Sequence, residues 1–377
     1  MRKPLTLIGV LGVLLLGCAH HPVVVSSTAD TEEIPDTWCE DLDQQTAVLG
    51  VEARNFATAV VRAIRRHVYG PSISSAQIQA AELRIASLFP GETLLAKSSV
   101  VEEINEVLRS IGISHLRVMD PVHFCRWMTS FTKKENAKVS SDIRARKLGK
   151  IGVVRVASFV VPRIRRDLVA SAFDDVADSK ALVLDLRNNG GGNHSGIVYL
   201  AERFVGPDKS IVTVRDRTGA DKVQPFVQEG GFADAENGGG SKEHHLLSKE
   251  GYVEYRTSKT AAAPDRRPLY LLVDSECGSS CELFTQVMRD LGAAKILGGR
   301  TAGEVFHSSA YKLPWRGNVL LVPVGVALTP SKTEVEGHGV SPDVEIPACV
   351  EHGAAPTDDV DPCLDAALAQ IEQEQHL

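Results

Sequence analysis

Ser279 lies in the stretch Leu271–Gly292, LLVDSECGSSCELFTQVMRDLG, where an apolar strand runs into a tight turn of small residues and an amphipathic helix follows at once. That order puts Ser279 at the mouth of a helix, where backbone N–H groups and the positive end of the helix dipole face outward. A hydroxyl held beside such donors suits acyl transfer, in which an oxyanion must be met as it forms. The same residues have a plainer use, because Ser279 and Glu282 show the S-x-x-E spacing of a capping box. A second small-residue element, Leu184–Gly192 (LDLRNNGGG), also follows an apolar strand. Its glycines let backbone N–H groups come close to a ligand, or they form a flexible turn. The G-x-G-x-x-G and Walker spacings are missing, which speaks against a nucleotide site.

The chain that must position these residues has 377 of them and a net charge of -7, with no basic footprint for nucleic acid. Its start reads as a targeting segment, residues 1–18: Arg2 and Lys3, the apolar run Leu5–Leu16, then Leu-Leu-Gly-Cys. The run is shorter than the roughly 20 residues a membrane-spanning helix needs. The ending resembles a bacterial lipobox, which makes Cys18 the lipidated residue; Ala19 is unlike the Asp that retains such proteins on the inner membrane. The expectation is an exported protein, lipid-anchored at the outer membrane and facing the periplasm or the surface, with residues 19–38 as a polar tether. Six further cysteines favour disulfides in that setting. The pairs expected are Cys349–Cys363 and Cys39–Cys125, whereas Cys277 and Cys281 either bridge around Ser279 or pack as small buried residues. Cys-x-x-x-Cys without matching His or Cys partners argues against a metal, and no cofactor is expected.

Apolar periodicity predicts helices over 43–67, 75–88 and 98–111, a small bundle within an N-terminal domain at 39–118. A connector at 119–150 leads to strands at 151–158, 181–186, 211–214, 269–273, 295–297 and 319–324. Helices at 163–177, 197–204 and 282–291 alternate with them. This is an α/β pattern, with a mostly parallel sheet expected in a domain at 151–350. Residues 215–267, broken by Gly230-Gly231 and Gly238–Gly240, read as an insertion, a hairpin lid among the options. Residues 351–377 form a tail with a helix.

Taken in order, DLRNNGGG, the turn Cys277-Gly278-Ser279-Ser280-Cys281-Glu282, GGRTAGE and EGHGVSPDVEIP closely resemble the C-terminal processing peptidase and tricorn-core superfamily of serine peptidases. The resemblance runs from about Asp43 to Leu377. It implies a ClpP/crotonase-like α/β catalytic domain and a nucleophile at Ser279. The processing peptidases place a lysine in a T-F-G-K motif, but the matching position here is Glu304, and the next lysine, Lys312, is too far along. The tricorn-like branch uses a histidine oriented by a carboxylate. Its pattern implies His115 as general base, Ser114 beside it, and Glu336 as the orienting acid, with Glu334 two residues away. The oxyanion hole would combine the N–H of Ser280 with one from Gly190 or Gly191. His307 and His338 are the alternative bases, with His194 also near a motif, and Asp185 and Arg187 brace a strand end.

The 25 residues 126–150 leave no room for the PDZ domain that processing peptidases carry. The basic run Lys133, Lys134, Arg144, Arg146, Lys147 and Lys150 is either a solvated face or a greeting for a substrate's C-terminal carboxylate. The function implied is a serine peptidase at the cell envelope, an endopeptidase or carboxy-terminal processing enzyme acting on peptides or proteins through an acyl-enzyme. Its rival is an inactive peptide-binding pseudo-peptidase.

Overall fold

The computed structural model describes residues 24–26, 46–124, 143–161, 163–230, 246–247, 249–315, 317–351 and 360–377. Cys18, the targeting segment, and the Cys39–Cys125 pair lie outside the described residues. Along the chain come β1 (Val24–Ser26), β2 (Ala47–Leu49), α1 (Gly50–His67), α2 (Ser75–Ser87), β3 (Leu94–Ala96), α3 (Lys97–Arg109) and β4 (Arg117–Met119). Then follow β5 (Ile143–Leu148), β6 (Ile151–Val156), α4 (Arg166–Asp174), β7 (Ala181–Asp185), α5 (His194–Val205), β8 (Ser210–Asp216), β9 (Phe226–Glu229) and β10 (Tyr252–Arg256). The chain closes with β11 (Leu269–Val273), α6 (Ser280–Asp290), β12 (Lys295–Gly298), β13 (His307–Lys312), β14 (Val319–Leu328), β15 (Val344–Glu345), α7 (Pro347–Glu351) and α8 (Pro362–Gln375).

The architecture is α/β with two sheets. One has six strands in the order β15-β12-β11-β7-β6-β5, parallel except for the antiparallel edge strand β5. The other runs β1-β13-β14-β8-β10-β9, with β4 also on β14, and is antiparallel except where β9 joins β10. Alternation along buried strands sorts side chains to two layers. On β7, Leu182 and Leu184 turn to the central core, while Ala181 and Val183 pack with Leu364, Ala367 and Ile371 of α8. The central core joins α4, α5 and α6 to both sheets.

Beyond the placing of β8 and β14 in an antiparallel sheet, where a single mostly parallel sheet was expected, three features differ from the sequence expectation. The first helices do not make a self-contained bundle, because Phe56, Val60 and Ile64 of α1 share a core with Tyr311, Leu320 and Val322 of β13 and β14. A helix alone cannot bury a wide apolar stripe, and the antiparallel sheet supplies the missing surface. The helix expected from Asp43 begins at Gly50, after a strand whose Val48 enters that core. Finally, the stretch expected as an insertion supplies β10, whose Val253 and Tyr255 are fully buried against β8. The Cys349–Cys363 disulfide ties α7 to α8 across a sequence separation of 14, with a Cα–Cα distance of 4.7 Å.

Candidate active site

Two neighbouring strand ends build the site. Parallel pairing sets Leu272 of β11 beside Asp185 of β7, so the turns that leave their C-terminal ends lie side by side. Asp274 couples these turns, accepting the N–H of Asn188 (3.1 Å) from one and of Glu276 and Cys277 (3.1 Å each) from the other. Burial raises its pKa. Gly278 N–H donates to Asn189 O (3.1 Å), and Ser280 Oγ donates to Gly192 O (2.7 Å). The glycines are required by this closeness. A Cβ on Gly191 would stand 2.8 Å from Ser279 Cβ, and one on Gly192 would stand 2.3 Å from the Phe159 and Val160 backbone.

Ser279 itself has φ 55° and ψ -122°, a strained conformation for a residue with a side chain. It opens α6, and its hydroxyl makes no capping bond to the helix. A disulfide between Cys277 and Cys281 brackets it, with a Cα–Cα distance of 5.4 Å, so the bridging alternative is the one formed. Of the three proposed oxyanion donors, Gly191 N–H is committed to Asn189 Oδ1 at 2.9 Å. Gly190 and Ser280 line the cleft beside Ser279.

Ser114 and His115 lie between α3 and β4, and His115 lines the same cleft. Ser114 Oγ lies 2.8 Å from His115 Nδ1 and 2.9 Å from Glu336 Oε2. Glu336 also accepts the N–H groups of Ser114 (3.0 Å), Val305 (2.8 Å) and Phe306 (3.1 Å). An oxygen already accepting two N–H groups is an acceptor in its third contact, so the single hydroxyl proton of Ser114 points to Glu336. Ser114 Oγ then accepts from His115 Nδ1–H, which assigns the tautomer and leaves the Nε2 lone pair unprotonated. Burial, with the Arg117 guanidinium adding to it, lowers the pKa of His115 to about 4. The ring is therefore neutral across ordinary pH, as a general base must be. Among the described residues no hydrogen bond joins Ser279 Oγ to His115; such contacts commonly tighten only around substrate.

The rivals fall in different places. His307 lines the cleft, whereas His338 is exposed and bonds through Nδ1 to Glu336 O (2.9 Å). Glu334 is exposed, and Glu304 stands exposed at the cleft mouth. Arg187 forks onto Asp185 and onto Asp361 at the start of α8, a bracing role. Among the described residues no group of three or more His, Cys, Asp or Glu is placed to hold a metal ion.

Glu282 does more than cap. It is fully buried, and its carboxylate accepts Ser279 N–H (3.2 Å), Thr301 Oγ1–H (2.5 Å), Gly303 N–H (2.6 Å) and Glu304 N–H (2.7 Å). It thus ties the Ser279 turn to the loop 301–304, whose Gly303 O accepts Gly337 N–H (2.8 Å) next to Glu336. Sequence reasoning missed this link, as it missed Asp274 and Asn189. The signal available was a glutamate and an aspartate inside otherwise apolar, small-residue segments.

Among curated proteins, the chain is similar to a probable CtpA-like serine protease of Staphylococcus aureus, at 26% identity over 216 residues, 57% of this chain and 36% of that one. It is also similar to the chloroplastic carboxyl-terminal-processing peptidase 3 of Arabidopsis thaliana, at 27% over 168 residues, 45% of this chain and 26% of that one. The matches thus span about a third or less of those relatives. Two solved structures share the fold over most of their length. They are a candidate peptidase from Parabacteroides merdae (TM-score 0.56, 18% identity, 85% of this chain and 96% of that one) and a lipoprotein from Streptococcus agalactiae (0.54, 15%, 88% and 98%). The model of peptidase family S41 matches residues 150–346, more than half of the chain and all of both strand-end turns, and on that match this chain belongs to peptidase family S41.

Proposed function

We propose that this chain is a serine peptidase that cleaves peptide bonds through an acyl-enzyme, with Ser279 as nucleophile, His115 as general base and Glu336 acting through Ser114. The observation that carries this reading is the Glu336–Ser114–His115 relay, which presents a neutral imidazole to the cleft that holds Ser279. Ser279 Oγ adds to the scissile carbonyl carbon while His115 Nε2 takes its proton. The N–H groups of Ser280 and Gly190 receive the oxyanion. His115 returns the proton to the leaving amine as the C–N bond breaks, and a water activated by the same nitrogen then releases the acyl group.

Glu304 supplies no amine where a Ser–Lys peptidase would need one, so the relay takes that task. The likeness to a lipoprotein fold and the Leu15–Cys18 ending together support lipid anchoring at Cys18, facing the envelope interior or surface. Among the described residues no helix is long and apolar enough to cross a membrane. Peptide or protein chains are the substrates, and Arg144 and Arg146 on the edge strand β5 suit a substrate's C-terminal carboxylate. The domain reading follows the same lines: helical layer, connector and peptidase domain.

The one feature favouring a binding-only cleft is the absence of a Ser279–His115 hydrogen bond among the described residues. Labelling of the purified protein with a fluorophosphonate separates the two readings. Labelling lost in both Ser279→Ala and His115→Ala is the expected result. No labelling of folded wild type overturns the peptidase reading, and labelling that survives His115→Ala moves the base to His307.

A further inference from the structure

Residues 277–281 form a ring with two unlike sides. Gly278, Ser279 and Ser280 line the cleft, whereas Cys277 and Cys281 are fully buried in the central core. Cys281 Sγ lies 3.7 Å from Leu186 O, at the foot of the glycine-rich turn, and Cys277 Sγ lies 3.9 Å from Thr285 Oγ1 of α6. The bridge therefore stands on the core side of the turn, between the helix and the neighbouring strand end.

This bridge, and not the helix ladder, closes the turn across Ser279. In a helix running back to residue 277, Cys281 N–H would donate to Cys277 O. Here Cys281 N–H donates to Gly278 O (3.0 Å), and Cys277 O accepts Ala302 N–H (3.1 Å). The Ser279 hydroxyl makes no capping bond, and its own N–H reaches Glu282 Oε2 only at 3.2 Å. Yet Ser279 keeps a φ of 55°, which a residue with a side chain holds only where its surroundings over-determine it. A covalent link holding the Cα atoms of residues 277 and 281 at 5.4 Å does so. Two thiols would need the spacing of non-bonded atoms, about 3.5–4.0 Å. That width would be taken from the turn, because both side chains are enclosed and a Cβ on Gly191 would already stand 2.8 Å from Ser279 Cβ.

The Cys349–Cys363 bridge has another setting, joining two helices beside the outer face of the parallel sheet across a sequence separation of 14. A longer loop restrains the unfolded chain more, so the bridge with a separation of 4 contributes less by that route and acts chiefly on local conformation.

Resting on the peptidase reading above, we propose that the Cys277–Cys281 bridge positions Ser279, so that the oxidised chain carries an activated serine and the dithiol chain a poorly reactive one. Interconversion is a two-electron exchange. A thiolate of an external dithiol attacks one sulfur and releases the other as a thiolate. Its second thiol then resolves the mixed disulfide, leaving two cysteines and an oxidised dithiol. Neither sulfur is exposed, so the exchange needs an opened chain, and the state of the bridge is set as the protein folds. Both cysteines are positioning residues, acting on the reaction only through Ser279.

The test compares rates of fluorophosphonate labelling. Cys277→Ala/Cys281→Ala should label about tenfold or more slowly than wild type, since a misplacement of about 1 Å costs on the order of 10²-fold. Cys349→Ala/Cys363→Ala should lose more of its denaturant midpoint, having freed the longer loop, yet label close to the wild-type rate. Loss of packing alone would not produce that crossed pattern. In a second arm, Cys349→Ala/Cys363→Ala is unfolded in dithiothreitol and refolded either in dithiothreitol or with glutathione disulfide. Mass spectrometry of alkylated peptides identifies the cysteines paired in each preparation. Chains with the Cys277–Cys281 bridge should label about tenfold or more faster than chains without it. Equal rates in the two preparations would overturn the proposal, as would a wild-type rate in Cys277→Ala/Cys281→Ala or equal slowing by the two double variants. Reduced chains that stay unfolded by circular dichroism would also overturn it, making the bridge a condition of the fold and not of the serine. Failure of oxidised wild type to label at all belongs to the peptidase reading, and shows itself before any comparison of rates.

Discussion

The hydroxyl proton of Ser114 fixes the state of the site, because it goes to Glu336 and so commits His115 to the tautomer with an open Nε2. Glu336→Gln keeps the shape but offers an amide that can donate as well as accept, and the proton order is lost. We expect kcat/KM to fall about 10²–10⁴-fold, the range general acid–base catalysis supplies, and unfolding free energy to fall by about 1–3 kcal/mol, because an amide nitrogen cannot accept the backbone N–H groups that both carboxylate oxygens accept. Steady-state kinetics beside chemical denaturation checks both parts. The pH profile follows from the sign of the His115 shift. In the proposed mechanism the neutral ring is the active form, and its pKa is lowered to about 4, so activity should be lost only as pH falls through that region. The acid limb of kcat/KM should lie near pH 4 and not near the ordinary histidine value of about 6.5. A limb at 6 to 7 would instead implicate a different base.

At the scale of elements, the site exists because two turns approach within side-chain distance of one another. Gly192 has φ 149° and room for no Cβ against the Phe159–Val160 backbone. Gly192→Ala should lower unfolding free energy by about 2–4 kcal/mol, as overpacking against fixed backbone does. It should also abolish fluorophosphonate labelling, because the Ser280 side chain that anchors the nucleophile turn is bonded to Gly192 O. Denaturant titration and labelling of the same preparation read the two effects. A stable variant that labels normally would show that the glycine contact does not position the turn. The Cys277–Cys281 bridge and the Glu282 carboxylate hold that turn from its other side, and Glu282 extends the hold to the loop next to Glu336.

For the whole molecule, α8 closes the outer face of the parallel sheet and reaches the site through Asp361, which Arg187 grips at the foot of the glycine-rich turn. The Cys349–Cys363 disulfide tethers that helix. A loop of this size restrains the unfolded chain by about 3 kcal/mol. The double variant Cys349→Ala/Cys363→Ala should therefore lose about 2–3 kcal/mol of stability, measured by denaturant unfolding without reductant. No change would mean that docking of α8 on the sheet, and not the tether, sets its stability.

How much of this was legible in the sequence depends on distance along the chain. Short-range signals, the apolar periodicities of α1, α2 and α6, the runs of β7 and β11 and the two small-residue turns, determine local structure, because burial and turn chemistry act over a few residues. The α/β class and the location of Ser279 followed from them, and resemblance added the residues to look for. Strand β13 escaped, since its polar and small residues carry no clean alternation. Strand β10 escaped because its short alternation of Val253 and Tyr255 with Glu254 and Arg256 sits in a glycine-broken stretch. The two pair with β14 and β8. Only the tertiary structure brought Glu336 to Ser114, 222 residues away, left Glu334 exposed, and committed Gly191 to Asn189. Hydrogen-bond geometry between distant segments is set by how sheets and helices pack, and no local pattern in the chain encodes it.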